Sequence, residues 1–226
     1  MTKTKFEDWC LIDYKQAWDK QQEIFNIVVK NKDNTQNLNE QRIIFCEHPN
    51  VYTLGKNGNQ NNLLINDDFL KKINATYYHI DRGGDITYHG PGQIVGYPII
   101  DLEYCKLSLK DYVFQLEQSI IDTLFEYDII ATRLHGASGV WLGTDMLGKT
   151  RKICAIGVKA SKFVTMHGFA FNINTDLKYF NFINPCGFVD KGVTSLNIEL
   201  KKNIDIEEVK NKLKIHLFKN LNLQEV

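Results

Sequence analysis

Between Arg82 and Tyr97 the chain reads Arg-Gly-Gly-Asp-Ile-Thr-Tyr-His-Gly-Pro-Gly-Gln-Ile-Val-Gly-Tyr, which places five glycines, a proline and a histidine within sixteen residues. Glycine adopts φ > 0 and lets backbone N–H groups approach a ligand where a Cβ would clash. The stretch brings little bulk to a core, yet the apolar, strand-like runs Ala75–Ile80 and Ile94–Ile100 bound it. On these residues alone two readings stand level: a binding loop carried on a sheet, and a glycine-rich hairpin turn.

Either reading requires a sheet, and the remaining pattern supplies one. Tyr14, Ala17, Trp18, Phe25 and Val28 fall at helical spacing and predict an amphipathic helix over 13–30, followed by a polar loop over 31–41. Arg42–Glu47 and Val51–Leu54 read as strands around the turn His48-Pro49-Asn50, and 55–62 as a mobile loop with no apolar anchor. Ser108 caps a helix with Leu109, Val113, Leu116, Ile120 and Leu124 on one face. Four strand candidates follow, Ile129–Leu134, Gly139–Leu142, Lys152–Val158 and Gly168–Ile173. Asp205, with Glu208 three residues on, opens a last helix that turns Ile206, Val209, Leu213 and Leu217 inward. Helices that flank hairpin-like strands, rather than alternate with them, favour an α+β fold with a mixed β-sheet flanked by helices. With 226 residues, 43% hydrophobic content and no internal repeat or linker, residues 1–226 are expected to form a single domain.

Composition removes several function classes. Lys+Arg and Asp+Glu are both 27, so no general excess of positive charge exists to hold nucleic acid. No apolar run approaches the roughly 20 residues that span a bilayer, and the start Met-Thr-Lys-Thr-Lys-Phe-Glu-Asp-Trp has no signal-peptide core. A cytoplasmic protein with neither nucleic-acid nor membrane partners is expected. The five cysteines, Cys10, Cys46, Cys105, Cys154 and Cys186, form no C-x-x-C pair, which argues for reduced thiols.

Gly143-Thr-Asp-Met-Leu-Gly-Lys-Thr150 matches the phosphate-loop pattern G-x-x-x-x-G-K-[ST] letter for letter. That loop works only when a helix follows it, and Arg151–Val158 alternates as a strand, so the match is read as coincidence. Cys186, in Ile-Asn-Pro-Cys-Gly-Phe, is flanked by turn residues and is the best nucleophile candidate. A thiol near pKa 8.5 needs a base or a positive neighbour, and His89, His167 and Lys152 each remain open for that role. Cys154 is a rival thiol, because residues 152 and 154 of a strand share a face, although its strand setting favours packing. His89, His167 and Cys186 lack ligand spacing, so no metal is expected.

Taken together, several segments resemble the octanoyltransferases of lipoate biosynthesis, also called lipoyl(octanoyl) transferases. They are Glu47–Gly55, Arg82–Gln93, Gly139-Val-Trp141, Lys152–Gly157, His167-Gly168, Asn184-Pro-Cys-Gly187 and Val193-Thr-Ser-Leu196, spanning roughly 42–200. The resemblance implies the catalytic fold shared with lipoate and biotin protein ligases, and no cofactor. It also implies transfer of an octanoyl group from acyl carrier protein to a lysine of lipoyl domains, those of 2-oxoacid dehydrogenases and the glycine cleavage H protein. Carried over by residue, the thioester-forming cysteine falls on Cys186 and the catalytic lysine on Lys152. The substrate-contacting segments fall on Arg82, Gly83, Gly84, Asp85, Ile86, Thr87, Tyr88 and His89, on Ala155, Ile156 and Gly157, and on Gly168, Phe169 and Ala170. Cys154 departs from the pattern as a second thiol beside the lysine. Lys149, Arg151, Lys159 and Lys162 form a candidate docking cluster for an acidic carrier. Three competing readings are an ATP-dependent lipoate–protein ligase, an amidotransferase between protein lysines, and a non-catalytic acyl- or lipoyl-domain binding module.

Overall fold

The computed structural model describes residues 2–32, 40–184 and 191–226. The first half contains strand β1 (Thr2–Leu11), helix α1 (Tyr14–Lys30), β2 (Arg42–Glu47), β3 (Val51–Leu54), α2 (Asp67–Lys72), β4 (Thr76–His79), β5 (Ile86–His89) and β6 (Gln93–Ile99). After it come α3 (Leu102–Cys105), α4 (Leu109–Phe125), β7 (Thr132–Leu134), β8 (Ala137–Leu142), β9 (Arg151–Ser161) and β10 (Val164–Asn172). The chain ends with β11 (Gly192–Val193), α5 (Leu196–Leu200), α6 (Ile206–Asn220) and β12 (Leu223–Glu225).

Among the described residues, nine strands form one mixed sheet in the order β12-β1-β2-β6-β10-β9-β8-β7, with β11 added beside β9. Period-two alternation sorts its side chains onto two faces. Ile43 and Phe45 of β2 join Ile94, Phe169 and Phe171 in one core, and Ile44 and Cys46 join Val95, Tyr97 and Ile99 in the other. Helices α4 and α6 cover the first face through Tyr112, Leu116, Ile120, Leu124, Val209, Leu213 and Leu217, while α1 covers the second through Ala17, Phe25 and Val28. Each such Leu or Ile contributes about 1.5–3 kcal/mol on burial, so these stripes, rather than helix propensity, seat the helices. The mixed sheet flanked by helices is the architecture expected from the sequence.

The helix starts also follow the sequence. Ser108 accepts from the Asp111 N–H at 3.1 Å and Asp111 returns the bond, closing a capping box at α4. Asp205 caps α6 by accepting from Glu207 and Glu208 N–H, whereas the Glu208 carboxylate turns instead to Lys212 and Tyr127.

Other expectations shift. The strand expected over 129–134 begins only at Thr132, because Ile130 is 87% exposed and has nothing to pack on. The 55–62 stretch, expected as a loop with no apolar anchor, is held by polar ones: Gly55 and Lys56 N–H donate to Asp85 and Arg82 carbonyls, and the Asp85 carboxylate accepts from Asn59 N–H and Asn62 Nδ2. The match at Gly143–Thr150 joins β8 to β9, an antiparallel pair, so a strand and not a helix follows it.

β3 belongs to a second sheet, parallel to β4 and antiparallel to β5. Thus residues 86–89, expected within a loop, form a strand, and the true loop shrinks to about 81–85. That loop leans on the main sheet through Gly83 N–H, which donates to Val158 O at 2.9 Å. No helix among the described residues is long and apolar enough to cross a membrane.

Candidate active site

Small residues open a space between the two sheets. Gly157 of β9 pairs with Gly168 of β10, and Ala155 with Ala170, so four small residues meet here on either side of the Ile156–Phe169 pair. A Cβ on Gly157 would lie 2.8 Å from Gly83 O, and one on Gly168 only 2.1 Å from Gly96 O. Both glycines therefore permit backbone approaches that alanine would block. The resulting cavity has a volume of about 470 Å³, within the range of small-ligand pockets. Of the residues expected to contact substrate, Arg82, Gly83, Gly84, Asp85, Ile86, Thr87, His89, Ala155, Ile156, Gly157, Gly168, Phe169 and Ala170 line it, as does Lys152.

Tyr88 does not. Its ring stacks on Tyr179 at 4.8 Å and its hydroxyl donates to Asn50 Oδ1 at 2.7 Å, so it belongs to the core of the smaller sheet. Cys186 lies outside the described residues. The chain seven residues after it returns to the site, where Val193 pairs with Lys152 and Thr194 N–H donates to Lys152 O at 2.9 Å.

The Lys152 Nζ sits 4.5 Å from the centroid of the Trp141 ring, on the neighbouring strand. A cation over a desolvated indole face is held by the ring quadrupole. Lys152 and Cys154 do not share the cavity face as simple alternation requires. Opposite β8 the register shifts: Val140 faces Cys154 and Trp141 faces Lys152, so two residues of β9 span one step of β8. Cys154 turns into the apolar core with Ile153, fully buried, and burial pushes its thiol far above the usual range despite nearby Lys152. It is thus a structural thiol.

The two histidines that competed as bases are both committed. His89 donates through Nδ1 to Gln93 Oε1 at 2.9 Å, since a carbonyl oxygen only accepts, leaving Nε2 to Thr53 Oγ1 at 3.3 Å. Burial, then neighbouring His48, lowers its pKa to about 3. His167 bonds Asp81 through Nε2 at 2.9 Å and pairs with Val158, six residues along β9 from Lys152, which is about 20 Å at 3.3 Å per residue. Burial lowers its pKa although Asp81 opposes this.

Arg82 donates to Thr53 O at 2.6 Å and Thr53 Oγ1 at 3.0 Å, so it braces the loop rather than projecting freely. The docking cluster does not form one patch. Arg151 and Lys159 are eight residues apart on one strand, about 26 Å, and are paired with Glu199 and Asp81 respectively.

The cavity also uses residues that sequence reading passed over as site residues: Tyr14, Gln93, Tyr97, Trp141 and Asn172. Gln93 and Trp141 stood inside quoted motifs, so the signal was present. Tyr14 read only as a helix core position, and nothing local marks it as a cavity wall.

Residues 13–218 match the family described as the lipoyl protein ligase A/B catalytic domain. A Bacteroides fragilis protein named octanoyltransferase is 57% identical over 211 residues, covering 93% of this chain and 95% of that protein. Among solved structures, a bipartite lipoate protein ligase from Thermoplasma acidophilum, described with its E2 lipoyl domain, superposes with TM-score 0.72 at 12% identity, covering 100% of this chain and 86% of that one. The biotin protein ligase of Aquifex aeolicus gives TM-score 0.54 at 13% identity over 98% and 71%.

Proposed function

Because the chain belongs to the lipoyl protein ligase A/B catalytic domain family, we propose that it is an octanoyltransferase of lipoate biosynthesis, acting in the cytoplasm as one catalytic domain. The observation that carries this reading is the 57% identity over 93% of the chain to a protein of that name. The donor is octanoyl-acyl carrier protein, and the acceptors are lysines on lipoyl domains of 2-oxoacid dehydrogenases and on the glycine cleavage H protein. The fold neighbour described with its lipoyl domain supports that class of acceptor.

Lys152 takes the proton from Cys186 Sγ, and the thiolate attacks the donor's thioester carbonyl. The carrier's C–S bond breaks, and its sulfur recovers the proton from the Lys152 ammonium. The acceptor lysine then loses a proton to Lys152 and attacks the enzyme thioester, forming the amide C–N bond while Cys186 leaves and is reprotonated. The thirteen cavity-lining residues named above hold the acyl group. Support for Lys152 comes from its place at the cavity wall and from its contact with Trp141. Gly83 N–H, engaged by Val158 O, is not among the donors for the oxyanion.

Intact mass spectrometry after incubation with octanoyl-acyl carrier protein tests the reading. One octanoyl adduct is expected on wild type and on Cys154→Ala, and none on Cys186→Ala or Lys152→Ala. An adduct lost with Cys154→Ala overturns the choice of nucleophile. The ligases sharing this fold keep the ATP-dependent reading in view: turnover of ATP and free octanoate by Cys186→Ala would establish it in place of transfer.

A further inference from the structure

Glu117 is a glutamate buried to 7% exposure in the middle of α4, where an apolar side chain would otherwise face the sheet. Its two oxygens are divided. Oε2 accepts from Arg133 Nε of β7 at 3.0 Å, and Oε1 accepts from the backbone N–H of Gly139 in β8 at 2.9 Å. Arg133 is itself fixed by Phe114 O and Gln118 Oε1 and lies over the Phe114 ring, with its carbon 3.6 Å from the centroid. A carboxylate held in this way cannot swing, so it dictates where the Gly139 peptide lies.

Gly139 stands at φ +118, and a Cβ there would meet Cys154 O at 2.5 Å and Lys152 Cε at 3.5 Å. The stem of Lys152 therefore rests on the bare backbone of Gly139, and its ammonium ends over Trp141 two residues further along β8. The two contacts help to set where Nζ comes to rest. Both depend on β8 lying where its register shift against β9 puts it, and Glu117 is the side chain that holds that stretch from the helix layer.

Resting on the assignment of Lys152 as the proton-transfer group, we propose that Glu117 is a positioning residue for the reaction: its bond to the Gly139 peptide sets the height of β8 under Lys152 and so the place of the lysine ammonium. Glu117 touches neither substrate nor reacting atoms. It acts through Gly139 and Trp141, and its effect falls on the chemical step rather than on acyl binding, because Glu117 is not among the residues that line the cavity.

The test compares Glu117→Ala, Glu117→Gln and Lys152→Ala in steady-state octanoyl transfer, with thermal melts to establish folding. Glu117→Gln keeps an acceptor oxygen for Gly139 N–H and gives up only the charge on the Arg133 side. Misplacing a catalytic group by about 1 Å costs on the order of 100-fold, so Glu117→Ala is expected to lower kcat about 10- to 100-fold. Its KM for the carrier stays within about 2-fold of wild type, and Glu117→Gln recovers most of the lost kcat. If Glu117→Ala does not fold, Glu117→Asp, one methylene too short to span both partners, takes its place with the same expected split. A wild-type kcat in the Ala or Asp variant, a change confined to KM, or equal losses for Gln and Ala would overturn the proposal. Wild-type turnover by Lys152→Ala would instead overturn the assignment of the lysine, which separates the two failures.

Discussion

His89, buried to 7% exposure, keeps both ring nitrogens occupied, and fully buried His48 does the same. Its Nδ1 donates to Ile12 O at 2.7 Å, which leaves Nε2 to accept from the Tyr97 hydroxyl at 2.7 Å. Burial lowers His48 to a pKa of about 4 and His89 to about 3. In the unfolded chain both return to about 6.5 and bind protons more readily than the native state. Their stabilisation is therefore full above about pH 6.5 and is lost as the pH falls toward those lowered values. Each contributes a slope of up to about 1.4 kcal/mol per pH unit in that window. Urea titrations between pH 6.5 and 5 are expected to show the unfolding free energy dropping, with a shallower slope for His48→Gln. An unchanged slope in the variant would refute the neutral buried state. The thiols divide on the same grounds: in native protein an aromatic disulfide reagent should modify exposed Cys10 and leave fully buried Cys154 untouched until the chain unfolds. Modification of Cys154 in the folded protein would return it to the list of candidate nucleophiles.

At the scale of strands and helices, the glycines of β9 and β10 separate stability from binding. A Cβ on Gly168 meets Gly96 O and, at 2.8 Å, Pro98 Cδ, both inside the sheet. Overpacking of that kind costs about 1–3 kcal/mol. A Cβ on Gly157 instead meets Gly83 O and, at 3.1 Å, Arg82 Cδ, both in the crossing loop, which can be pushed away. Gly168→Ala should therefore lower Tm more, and Gly157→Ala should raise the donor KM more; melting curves and initial rates with the reverse ranking would reject this division. These elements were largely legible in the sequence, since α1, α4, α6, β2, β3, β6 and β9 carry clear periodicity or caps. What escaped was departure from periodicity. The register shift opposite Trp141 turns Cys154 away from Lys152, and no residue in Arg151–Ser161 announces it. Tyr88 escaped for a related reason: the expected loop is partly a strand, and alternation in β5 sends Tyr88 to the core while Thr87 and His89 reach the cavity.

For the whole molecule, the two ends meet through pairings that no local pattern reports: β1 lies parallel to both β12 and β2, so Lys3 pairs with Gln224 and Phe6 with Ile43. The first of these pairings joins segments about as distant as the chain allows, and the residues of both end strands alternate weakly, so β1 and β12 went unread. The site was legible in sequence as segments, because its motifs are local, but not as a space, because the walls come from two sheets that meet only in three dimensions. With the acyl group placed as proposed, it would bridge the two sheets. The crossing loop 81–85 touches the main sheet through Gly83 N–H to Val158 O and through the Asp81 carboxylate to His167 and Lys159, so an apolar chain held between them should tighten those contacts. Octanoic acid at 100 times its Kd would stabilise the fold by about 2.7 kcal/mol, and at about 2–4 °C per kcal/mol for a chain of this size Tm rises about 5–11 °C. The amide protection that accompanies it is expected at 82–84 and along 155–158, while β1 and β12 exchange as before. Hydrogen exchange with and without octanoic acid measures this, and protection spread evenly over the molecule, or absent from the loop, would show that the acid does not bind between the sheets.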